Sequence, residues 1–593
     1  MSSSNWSFGS GHIYRDMHAV STCYTPCMFR RLALLALIVA TASCNKSDVK
    51  TPGTAGSDVQ ATATPSKPSF TVFALAEVRG QIGPCGCTSD PLGDITRTTQ
   101  LIEDARKVGP VLVVDAGSLL YSQNPIPPNL EAQEELKADL LATLYTKQLN
   151  VAAVGLGPAD TARGPAQQRF PRVESNITAG YATKPPLIAQ VGNTKVGVFG
   201  VIAEDLFKVA VSDPVAAGKS AVATLKAQGA QVVIALVQAS KKSEAAQLVK
   251  EIGGVDLAIA GLGQLAPEPE EIEVEPTKVG TGWLVIPGNR GQIVSRIEVY
   301  AHGSQVSGPL VDAIGPAAAR AKIAAYNKEL ASRDAELARF AADRSSDPGF
   351  VAQKQQERVG VVAARDALAK RPLIVPASGS FLTLDQVKIN KALACSVPAQ
   401  TEVNAFYAAA GAANVKAAEG KPVVAPAKGQ ASYVGMATCG DCHDEAVKFW
   451  QTTVHATAWK TLVDRGQQFD YDCIGCHVTG WQKPGGSNLA HNEPLRDVQC
   501  ETCHGPASIH VQHGGEEKPL AIAKAPPENL CAGQCHTKVH SDTFQRDAYL
   551  RDILGPGHGA EARKLLGDGP TGSSLRKAAL EKAGKSVGAN CTR

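Results

Sequence analysis

Three short stretches determine the fold class expected for the C-terminal part of the chain. They are CGDCH at residues 439–443, CIGCH at residues 473–477 and CETCH at residues 500–504. Each has two cysteines separated by two residues and followed at once by a histidine. This spacing lets two thiols reach the two vinyl groups on one porphyrin edge while the adjacent histidine ligates the iron. A zinc ribbon of paired Cys-x-x-Cys knuckles does not explain the repeated histidine. The stretches therefore predict covalently attached c-type haems.

A fourth stretch, CAGQCH at residues 531–536, has three residues between its cysteines instead of two. One inserted residue can bulge outward while both thiols keep their reach, and a degenerate site would more often have lost a cysteine or the histidine. We therefore predict four c-type haems. The predicted attachment cysteines are Cys439, Cys442, Cys473, Cys476, Cys500, Cys503, Cys531 and Cys535, and the predicted proximal ligands are His443, His477, His504 and His536.

Each haem iron can take a second axial ligand, and six further histidines lie in the same segment. His455 lies in an amphipathic pattern with aromatic residues, and His558 lies in GPGHG, where glycines permit close approach. His513 and His540 are predicted to be surface residues or to support a ligand, and a solvent-exposed role is the alternative for every one of the six. The predicted distal ligands are His455, His510, His558 and then His491.

Residues 433–560, from YVGMATCGDCHDEAVKFW through CHGPASIHV to CHTKVHSDTF, resemble the tetrahaem cytochromes c of the ammonia-oxidiser electron-carrier type. The resemblance implies closely stacked haems, mostly with two histidine ligands, that pass single electrons. In that family one haem can lack a distal ligand, so an open iron that binds a small nitrogen or oxygen species stays an alternative. The chain departs from the family pattern at CAGQCH.

The N-terminal end has the pattern of an export signal. In residues 28–44, MFRR supplies positive charge, LALLALIVA supplies an apolar run too short to span a bilayer, and TASC supplies small residues. Residues 1–27 are interpreted as an upstream extension and residues 45–69 as a flexible tether. Cys44 could carry a lipid, or cleavage nearby, after Ala42, could leave it unmodified, and both interpretations stay open.

Apolar, β-branched runs alternate with helical stretches over residues 70–305. SFTVFALAEV and GPVLVVDAG flank DITRTTQLIEDARK, and the alternation continues through NVAAVGLG, KVGVFGVI, AQVVIALV and GVDLAIAG. This alternation predicts a layered α/β domain with mixed sheets flanked by helices.

The order of these runs resembles the calcineurin-like metallophosphoesterase domain of periplasmic 5'-nucleotidases. Where that family reads DLHG, DAGD, GNHE, a histidine in a later strand and GHxH, this chain reads EVRG, DAGS, GPAD, LVQA and GLGQ. Almost none of the residues at the family's ligand positions can bind a metal: Glu77, Arg79, Ser118, Pro158, Ala159, Gln238, Leu262 and Gln264.

The histidine distribution supports the loss of a metal site in this domain. Two-metal hydrolysis needs a cluster of imidazoles and carboxylates, yet His302 is the one histidine between the tether and Cys439, and it lies outside all these loops. A carboxylate-only site of Glu77, Asp115 and Asp160 with Mg²⁺ or Ca²⁺ is the alternative. We predict a phosphoesterase-like domain that has lost its catalytic metals.

The stretch GPCGCTSDPLGD places Cys85 and Cys87 one residue apart, directly after the first predicted strand. Such a pair could bind a soft metal, cycle as a strained disulfide or react as low-pKa thiols. The alternative is a fixed disulfide or two unconnected thiols in an oxidising compartment. The resemblance to nucleotidase-like domains attached to multihaem cytochromes favours a use for the pair.

The rest of the chain divides by composition. Stretches rich in Ala, Glu, Lys and Arg on either side of Asp347-Pro348-Gly349 predict a helical hairpin. Cys395 could bond another cysteine, but no partner can be deduced. The predicted organisation is an extension (1–27), a signal peptide (28–44), a tether (45–69), the α/β domain (70–305), the hairpin (306–372), a small α/β segment with a linker (373–430), a mainly α tetrahaem domain with little regular strand (431–566) and a tail (567–593).

The sequence thus predicts an extracytoplasmic multihaem cytochrome c that transfers electrons, in the periplasm or at the outer membrane or cell surface of a bacterium. Its predicted partners are redox proteins and, through a lipid on Cys44, the membrane; a net charge of +3 gives no case for nucleic acid. The α/β domain, without catalytic metals, would dock a redox partner or supply the Cys85 and Cys87 thiols for redox chemistry. The alternatives are a haem-based oxidoreductase acting on small nitrogen or oxygen species and a 5'-nucleotidase-like phosphohydrolase, which the missing ligands disfavour.

Overall fold

The computed structural model describes most of the chain after the predicted tether. Cys44, Cys85 and Cys87 lie outside the described residues. None of the helices within the described residues combines the length and apolar character that a membrane span requires. The described residues are 67–84, 88–313, 315–342, 347–372, 375–516 and 522–587.

Two six-stranded mixed sheets form the centre of the α/β part. The described strands are β1 (Phe70–Leu75), β2 (Val111–Asp115), β3 (Ala153–Val154), β4 (Arg172–Val173), β5 (Thr183–Lys184), β6 (Leu187–Val191), β7 (Thr194–Ile202), β8 (Val232–Gln238), β9 (Leu257–Gly261), β10 (Thr277–Val279), β11 (Gly282–Val285), β12 (Ile293–Ala301), β13 (Val311–Asp312) and β14 (Ser380–Lys388). The first sheet has the order β13-β14-β12-β1-β2-β3 and the second β10-β11-β9-β8-β7-β6. In the first sheet β12 pairs antiparallel with both β14 and β1, and the pairs towards the two edges are parallel. In the second sheet, three central parallel pairs are flanked by an antiparallel pair at each edge.

Helices cover the outer faces of these sheets and form the C-terminal part. The described α-helices are α1 (Ile95–Val108), α2 (Glu131–Lys147), α3 (Pro214–Ala227), α4 (Lys242–Ile252), α5 (Pro316–Ala342), α6 (Pro348–Lys370), α7 (Val397–Ala418), α8 (Met436–Gly440), α9 (Asp444–Trp450), α10 (Ala458–Val463), α11 (Tyr471–Ile474), α12 (Cys500–His504), α13 (Ser508–Gln512), α14 (Leu530–Gln534), α15 (Arg546–Ile553), α16 (Ala560–Leu565) and α17 (Gly572–Ala583).

The two sheets pack face to face because alternate strand residues point to opposite sides. Val72 of β1 and Ile234 of β8 belong to the core between the sheets. The neighbouring Phe73 points the other way, into a core shared with α1, α2 and α7, while Val233 packs with α3 and α4. The result is a four-layer arrangement of helices, sheet, sheet and helices, which confirms the predicted fold class.

The segment 373–430 is not a separate small unit, and the boundaries drawn around it divide the α/β domain. Its strand β14 pairs antiparallel with β12 in register from Ser380 opposite Ala301 to Lys388 opposite Ile293. Its helix α7 places Phe406 in the same core as α1 and α2. The hairpin 306–372 is therefore an insertion before the last central strand, and a local pattern cannot show pairing across such an insertion.

The predicted hairpin segment contains two long helices that pack side by side. Arg333 of α5 donates to Glu357 of α6 at 2.7 Å, and Phe340 and Phe350 meet edge to face with centroids 5.3 Å apart. From the first contact to the second, the residue number increases in α5 and decreases in α6. The two helices are therefore antiparallel.

The C-terminal part contains only short helices and isolated bridges among its described residues. Its small apolar cluster centres on Ile474 and Val478, packed against Ala418 at the end of α7. This agrees with the mainly α character that the sequence predicts. Cys395, between β14 and α7 of the α/β domain, is disulfide-bonded.

Candidate haem sites

The first and third predicted attachment motifs each form a single tight turn of helix. In the first motif the backbone N–H of His443 donates to the carbonyl of Cys439 at 2.9 Å, a bond spanning four residues. This turn brings the histidine back beside the first cysteine. The third motif, Cys500–His504, is a five-residue helix in its entirety.

The insertion in CAGQCH is absorbed by a wider turn. The backbone N–H of His536 donates to the carbonyl of Cys531 at 2.8 Å, a bond spanning five residues, which is the spacing of a π-bulge. The histidine amide thus bonds to the same carbonyl as in the first motif, that of the leading cysteine. The extra residue widens the turn without separating the cysteine from the histidine.

Motif cysteines interact with cysteines of other motifs as thiols. The Cys439 thiol donates a hydrogen bond to Cys500, which lowers the pKa of Cys500 to about 7. Cys535 and Cys476 are hydrogen-bonded in the same way. Burial and then the neighbouring Cys531 raise the pKa of Cys503 to about 11. These contacts join the motifs in the order first, third, fourth and second.

A buried glutamate fixes the third motif against the first. The Glu501 carboxylate, 1% exposed, accepts hydrogen bonds from the backbone N–H groups of Gly435 and Ala507, both at 2.8 Å. Gly435 immediately precedes α8 of the first motif, and Ala507 immediately precedes α13, which carries His510. One side chain therefore positions two helices relative to the third motif.

Three histidine pairs face each other across the motifs, and each pair combines a motif histidine with a predicted distal ligand. The ring centroids lie 6.4 Å apart for His443 and His510, 6.3 Å apart for His455 and His536, and 6.0 Å apart for His504 and His558.

These separations fit one metal ion between the two rings of each pair. A metal-bound imidazole nitrogen lies about 2 Å from the ion and about 1 Å from its own ring centroid, so two opposed ligands have centroids roughly 6 Å apart. Ordinary aromatic pairs have ring centroids about 4.5–7 Å apart, so the attachment cysteines beside each pair, together with this distance, point to ligation. The protein thus provides three sites of the size that an axially ligated haem iron needs.

Hydrogen bonds to the second ring nitrogen select the tautomer needed for ligation. The Nδ1 atoms of His504, His558 and His477 lie 2.7, 2.8 and 2.6 Å from backbone carbonyl oxygens. A carbonyl only accepts, so Nδ1 carries the proton and Nε2 is left for a metal. Burial, followed by the neighbouring His536, lowers the pKa of His455 to about 4, so its ring is neutral as ligation requires.

The second motif differs from the other three. His477 has no ring contact with another histidine in the described part of the chain. Together with Cys473 and Cys476 it borders a cavity of about 750 Å³, and His540 borders the same cavity. The sequence predicts His540 at the surface or in support of a ligand; it is half-buried and bonded through Nδ1 to Thr537. The position of His540, four residues after the motif histidine His536, is the sequence signal that could have identified it as a candidate.

The remaining histidine candidates lie apart from the motifs. His491 and His513 are exposed. The backbone N–H of His491 donates to the Asn488 side chain at 2.8 Å, and its ring contacts no motif histidine within the described ranges. The structure therefore brings three of the four predicted distal ligands to a motif histidine and leaves His491 outside.

The three carboxylates of the alternative metal site in the α/β domain are already bonded to the protein. Asp160 accepts hydrogen bonds from the backbone N–H groups of Ser118, Leu119 and Leu120 at 2.8–2.9 Å. It also accepts from the backbone N–H of Gly157 at 3.0 Å and pairs with Arg172 at 3.1 Å, and both side chains of this ion pair are 0% exposed. Asp115 accepts from Gly117 at 2.7 Å and from Tyr145 at 2.7 Å. Glu77 accepts from Gln238 at 3.2 Å.

Burial changes the protonation of acids in this region. It raises the pKa of Glu77 to about 7 and that of Glu174 to about 8. Within the described ranges, no three His, Cys, Asp or Glu side chains are grouped so that they could hold a metal ion. The loops nevertheless keep an unusual backbone, with φ of 53° at Glu77, 52° at Arg79 and 59° at Ser118. Left-handed non-glycine residues of this kind cluster at functional loops.

Residues 438–505 match the family model described as "Cytochrome c554 and c-prime". "Cytochrome c-554" of Nitrosomonas europaea is 34% identical over 92 residues, which make up 13% of this chain and 39% of that protein. The chain therefore spans well under half the length of this curated relative.

Similar solved structures belong to phosphoesterases. A 5'-nucleotidase precursor from Thermus thermophilus has 16% identity and a TM-score of 0.37, with 62% of each chain covered. The calcineurin-like phosphoesterase YfkN from Bacillus subtilis has 20% identity and a TM-score of 0.31, covering 39% of this chain and 84% of that one. The sequence motifs indicate resemblances to both kinds of protein. In residues 438–505 the chain is similar to the cytochrome c554 family, whose members use c-type haem.

Proposed function

We propose that the protein is an exported tetrahaem cytochrome c that carries single electrons between extracytoplasmic redox partners. The observation that carries this proposal is the three opposed histidine pairs, with centroids 6.0–6.4 Å apart and one motif histidine in each. The similarity of residues 438–505 to cytochrome c554 supports it.

A haem iron, when bound, supplies a one-electron couple whose potential depends on its ligands and surroundings. The residues of this chain attach it, ligate it and limit its contact with water. The thiol contacts that join the first, third, fourth and second motifs bring neighbouring attachment sites together. This order supports a continuous route for electrons through the domain.

Export is part of the proposal because c-type haem is attached outside the bacterial cytoplasmic membrane. The predicted signal peptide at residues 28–44 agrees with this, and a lipid on Cys44 would hold the protein at a membrane. The proposed location is the periplasm or the cell surface.

We propose that the α/β domain works without catalytic metals. The partners of Asp160 and Asp115 support this, because backbone amides, Arg172 and Tyr145 occupy the oxygens that a metal would need. Its proposed roles are docking of a redox partner and thiol chemistry at Cys85 and Cys87.

The residues on either side of the cysteine pair support a thiol role. Pro84 borders the cavity that contains Cys476, and the backbone N–H of Ser89 donates to Asp542 of the haem domain at 3.0 Å. Oxidation of the two thiols to a disulfide releases two electrons and two protons. The electrons would pass one at a time to two haem irons and the protons to water.

Haem stoichiometry tests the main proposal. The mature chain, produced with a c-type maturation system, should show four haems by intact mass and by the reduced pyridine-haem spectrum. Cys531→Ser/Cys535→Ser should lose one haem, whereas Gly533→Ala, between the same two cysteines and with open space around an added methyl group, should keep four. Three haems in both the unaltered chain and Cys531→Ser/Cys535→Ser would exclude CAGQCH as an attachment site, and zinc in place of haem would reject the proposal.

A second candidate is a haem-based oxidoreductase acting on small nitrogen or oxygen species. The absence of a ring partner for His477 among the described histidines favours it, because an iron there would have a free position. The oxidised protein should then bind nitric oxide or hydroxylamine with a spectral change equivalent to one haem. A carrier with two protein ligands on every iron would show none.

A further inference from the structure

A cavity of about 750 Å³ lies between the α/β domain and the second motif. Its volume is within the range of about 300–1,000 Å³ typical of cofactor and ligand pockets. One wall consists of Cys473, Cys476 and His477, the complete second attachment motif. The opposite wall comes from the α/β domain and includes Arg79, Gly80, Gln81, Ile82, Val403 and Tyr407.

The α/β domain also fixes the segment that leads into this motif. Lys137 of α2 pairs with Asp472 at 2.6 Å and is itself only 5% exposed. Gln133, one helical turn earlier, donates to Asp470 at 2.7 Å. Asn414 of α7 donates to the Gln133 side chain at 2.7 Å, and to the backbone carbonyl before Asp470 at 2.9 Å. The position of Cys473, directly after Asp472, therefore depends on helices of the other domain.

Most cationic side chains that border the cavity have protein partners. Arg97 pairs with Asp94 at 3.3 Å, Lys137 pairs with Glu134 at 2.8 Å, and Lys391 donates to a backbone carbonyl at 3.1 Å.

Arg79 differs from these cations. It is half-buried, and its guanidinium has no hydrogen bond or ion pair within the described part of the chain, although its backbone N–H is fixed to Ser118 at 2.8 Å. Its charge lowers the pKa of Glu77, but burial outweighs this and raises that pKa to about 7, so Glu77 is a poor counter-ion. The loop therefore holds a positive charge without a contacting partner at the wall opposite Cys476 and His477. A guanidinium on a cavity wall is suited to pair with a carboxylate inside the cavity.

We propose that the second haem site is shared between the two domains: the wall that contains Arg79, Ile82 and Tyr407 encloses the haem attached at Cys473 and Cys476, and Arg79 pairs with a haem propionate. This rests on the proposed haem attachment at the second motif. The former metal loop of the α/β domain thereby becomes part of an electron-transfer site.

The charge of Arg79 has a measurable consequence for one haem. A positive group disfavours the oxidised, more positive state of a nearby iron and so raises its reduction potential. In the full chain, Arg79→Gln should make the oxidised state of one haem about tenfold more favourable, a fall of about 59 mV for one electron. Arg79→Lys, which retains the positive charge, should leave the reduction potential of that haem close to its value in the unaltered chain. Arg163→Gln, in the same domain but outside the cavity, should change none of the four reduction potentials.

The measurement is a spectroelectrochemical titration of each variant, with haem content checked by intact mass. Four attached haems and four unchanged potentials in Arg79→Gln would overturn the inference and leave the proposed function intact. Equal shifts in all four potentials would overturn it as well. Absence of haem at Cys473 and Cys476 in the unaltered chain would instead reject the proposed function.

Two further results keep the inference falsifiable. If Arg79→Gln fails to accumulate, Lys391→Gln removes a charge from the same cavity and should lower the same single potential; no change there would contradict the shared site. If Arg79→Gln leaves the potentials alone but weakens nitrite binding, Arg79 serves a soluble anion and the propionate assignment is wrong.

Discussion

The two halves of the molecule use their metal-binding residue types in opposite ways. In the α/β domain, Asp160 accepts four backbone hydrogen bonds and pairs with Arg172, so its oxygens point at the chain itself. In the haem domain, the neighbouring rings of His504 and His558 bond to backbone carbonyls through Nδ1, which leaves Nε2 of each ring for a metal. A ligand set prepared for a metal keeps donor atoms directed at a common point, and a set that has lost this role is bonded internally.

The largest expected effect comes from breaking the internal bonding of the α/β domain. Arg172→Met should lower the free energy of unfolding by about 3–5 kcal/mol, because removing one partner of a fully buried ion pair leaves the other uncompensated. Denaturant unfolding followed by circular dichroism measures this. Arg163→Met, at a partly exposed ion pair, is the control and should leave stability nearly unchanged. A small effect for Arg172→Met would mean that Asp160 is satisfied by backbone amides alone.

The buried acid Glu174 should make stability depend on pH. Burial raises its folded pKa to about 8, above the ordinary value of 4.5, so the folded state holds a proton that the unfolded state has released. The stability that protonated Glu174 contributes is fully present below about pH 4.5 and is lost as the pH rises to about 8. Over this range the free energy of unfolding should fall by up to about 1.4 kcal/mol per pH unit.

Glu174→Gln isolates this contribution. The variant should flatten the fall in stability between about pH 5 and about pH 8, while Glu336→Gln, on the hairpin, should leave it as it is. An unchanged slope in Glu174→Gln would show that Glu174 is not the titrating group and would weaken the view of this region as a dry, internally bonded core.

The opposed pairs can be broken one at a time. His558→Ala should leave His504 as the only protein ligand of its iron and convert one low-spin signal to a high-spin one, visible by electron paramagnetic resonance. His491→Ala, at an exposed histidine, should change nothing. Loss of a low-spin signal in His491→Ala but not in His558→Ala would contradict this pairing.

The smallest expected effect concerns the inserted residue in the fourth motif. Deletion of Gln534 restores two residues between the cysteines and should return the wide turn at Cys531 to ordinary helical spacing. Four haems should stay attached, measured by intact mass. Loss of the fourth haem would show that the wide turn is required and is not simply tolerated.

Much of this organisation is visible in the sequence because it is local. The pairing of His510 with His443 joins distant residues, but the haem motifs and the α/β alternation follow from short spacings. The place of β14 in the first sheet does not, because its partner β12 lies on the other side of the inserted hairpin. The positions of Arg79 and Lys137 at the second motif are equally hidden, since they depend on packing between domains.

The central claim is that three opposed histidine pairs each hold one haem iron, and electron paramagnetic resonance of the fully oxidised full-length protein tests it most directly. Spin counting against four haems per chain should give three low-spin ferric irons, with the fourth, at His477, reporting whether its remaining position is open. Fewer than three low-spin irons would contradict the pairing of His443, His504 and His536 with their distal partners.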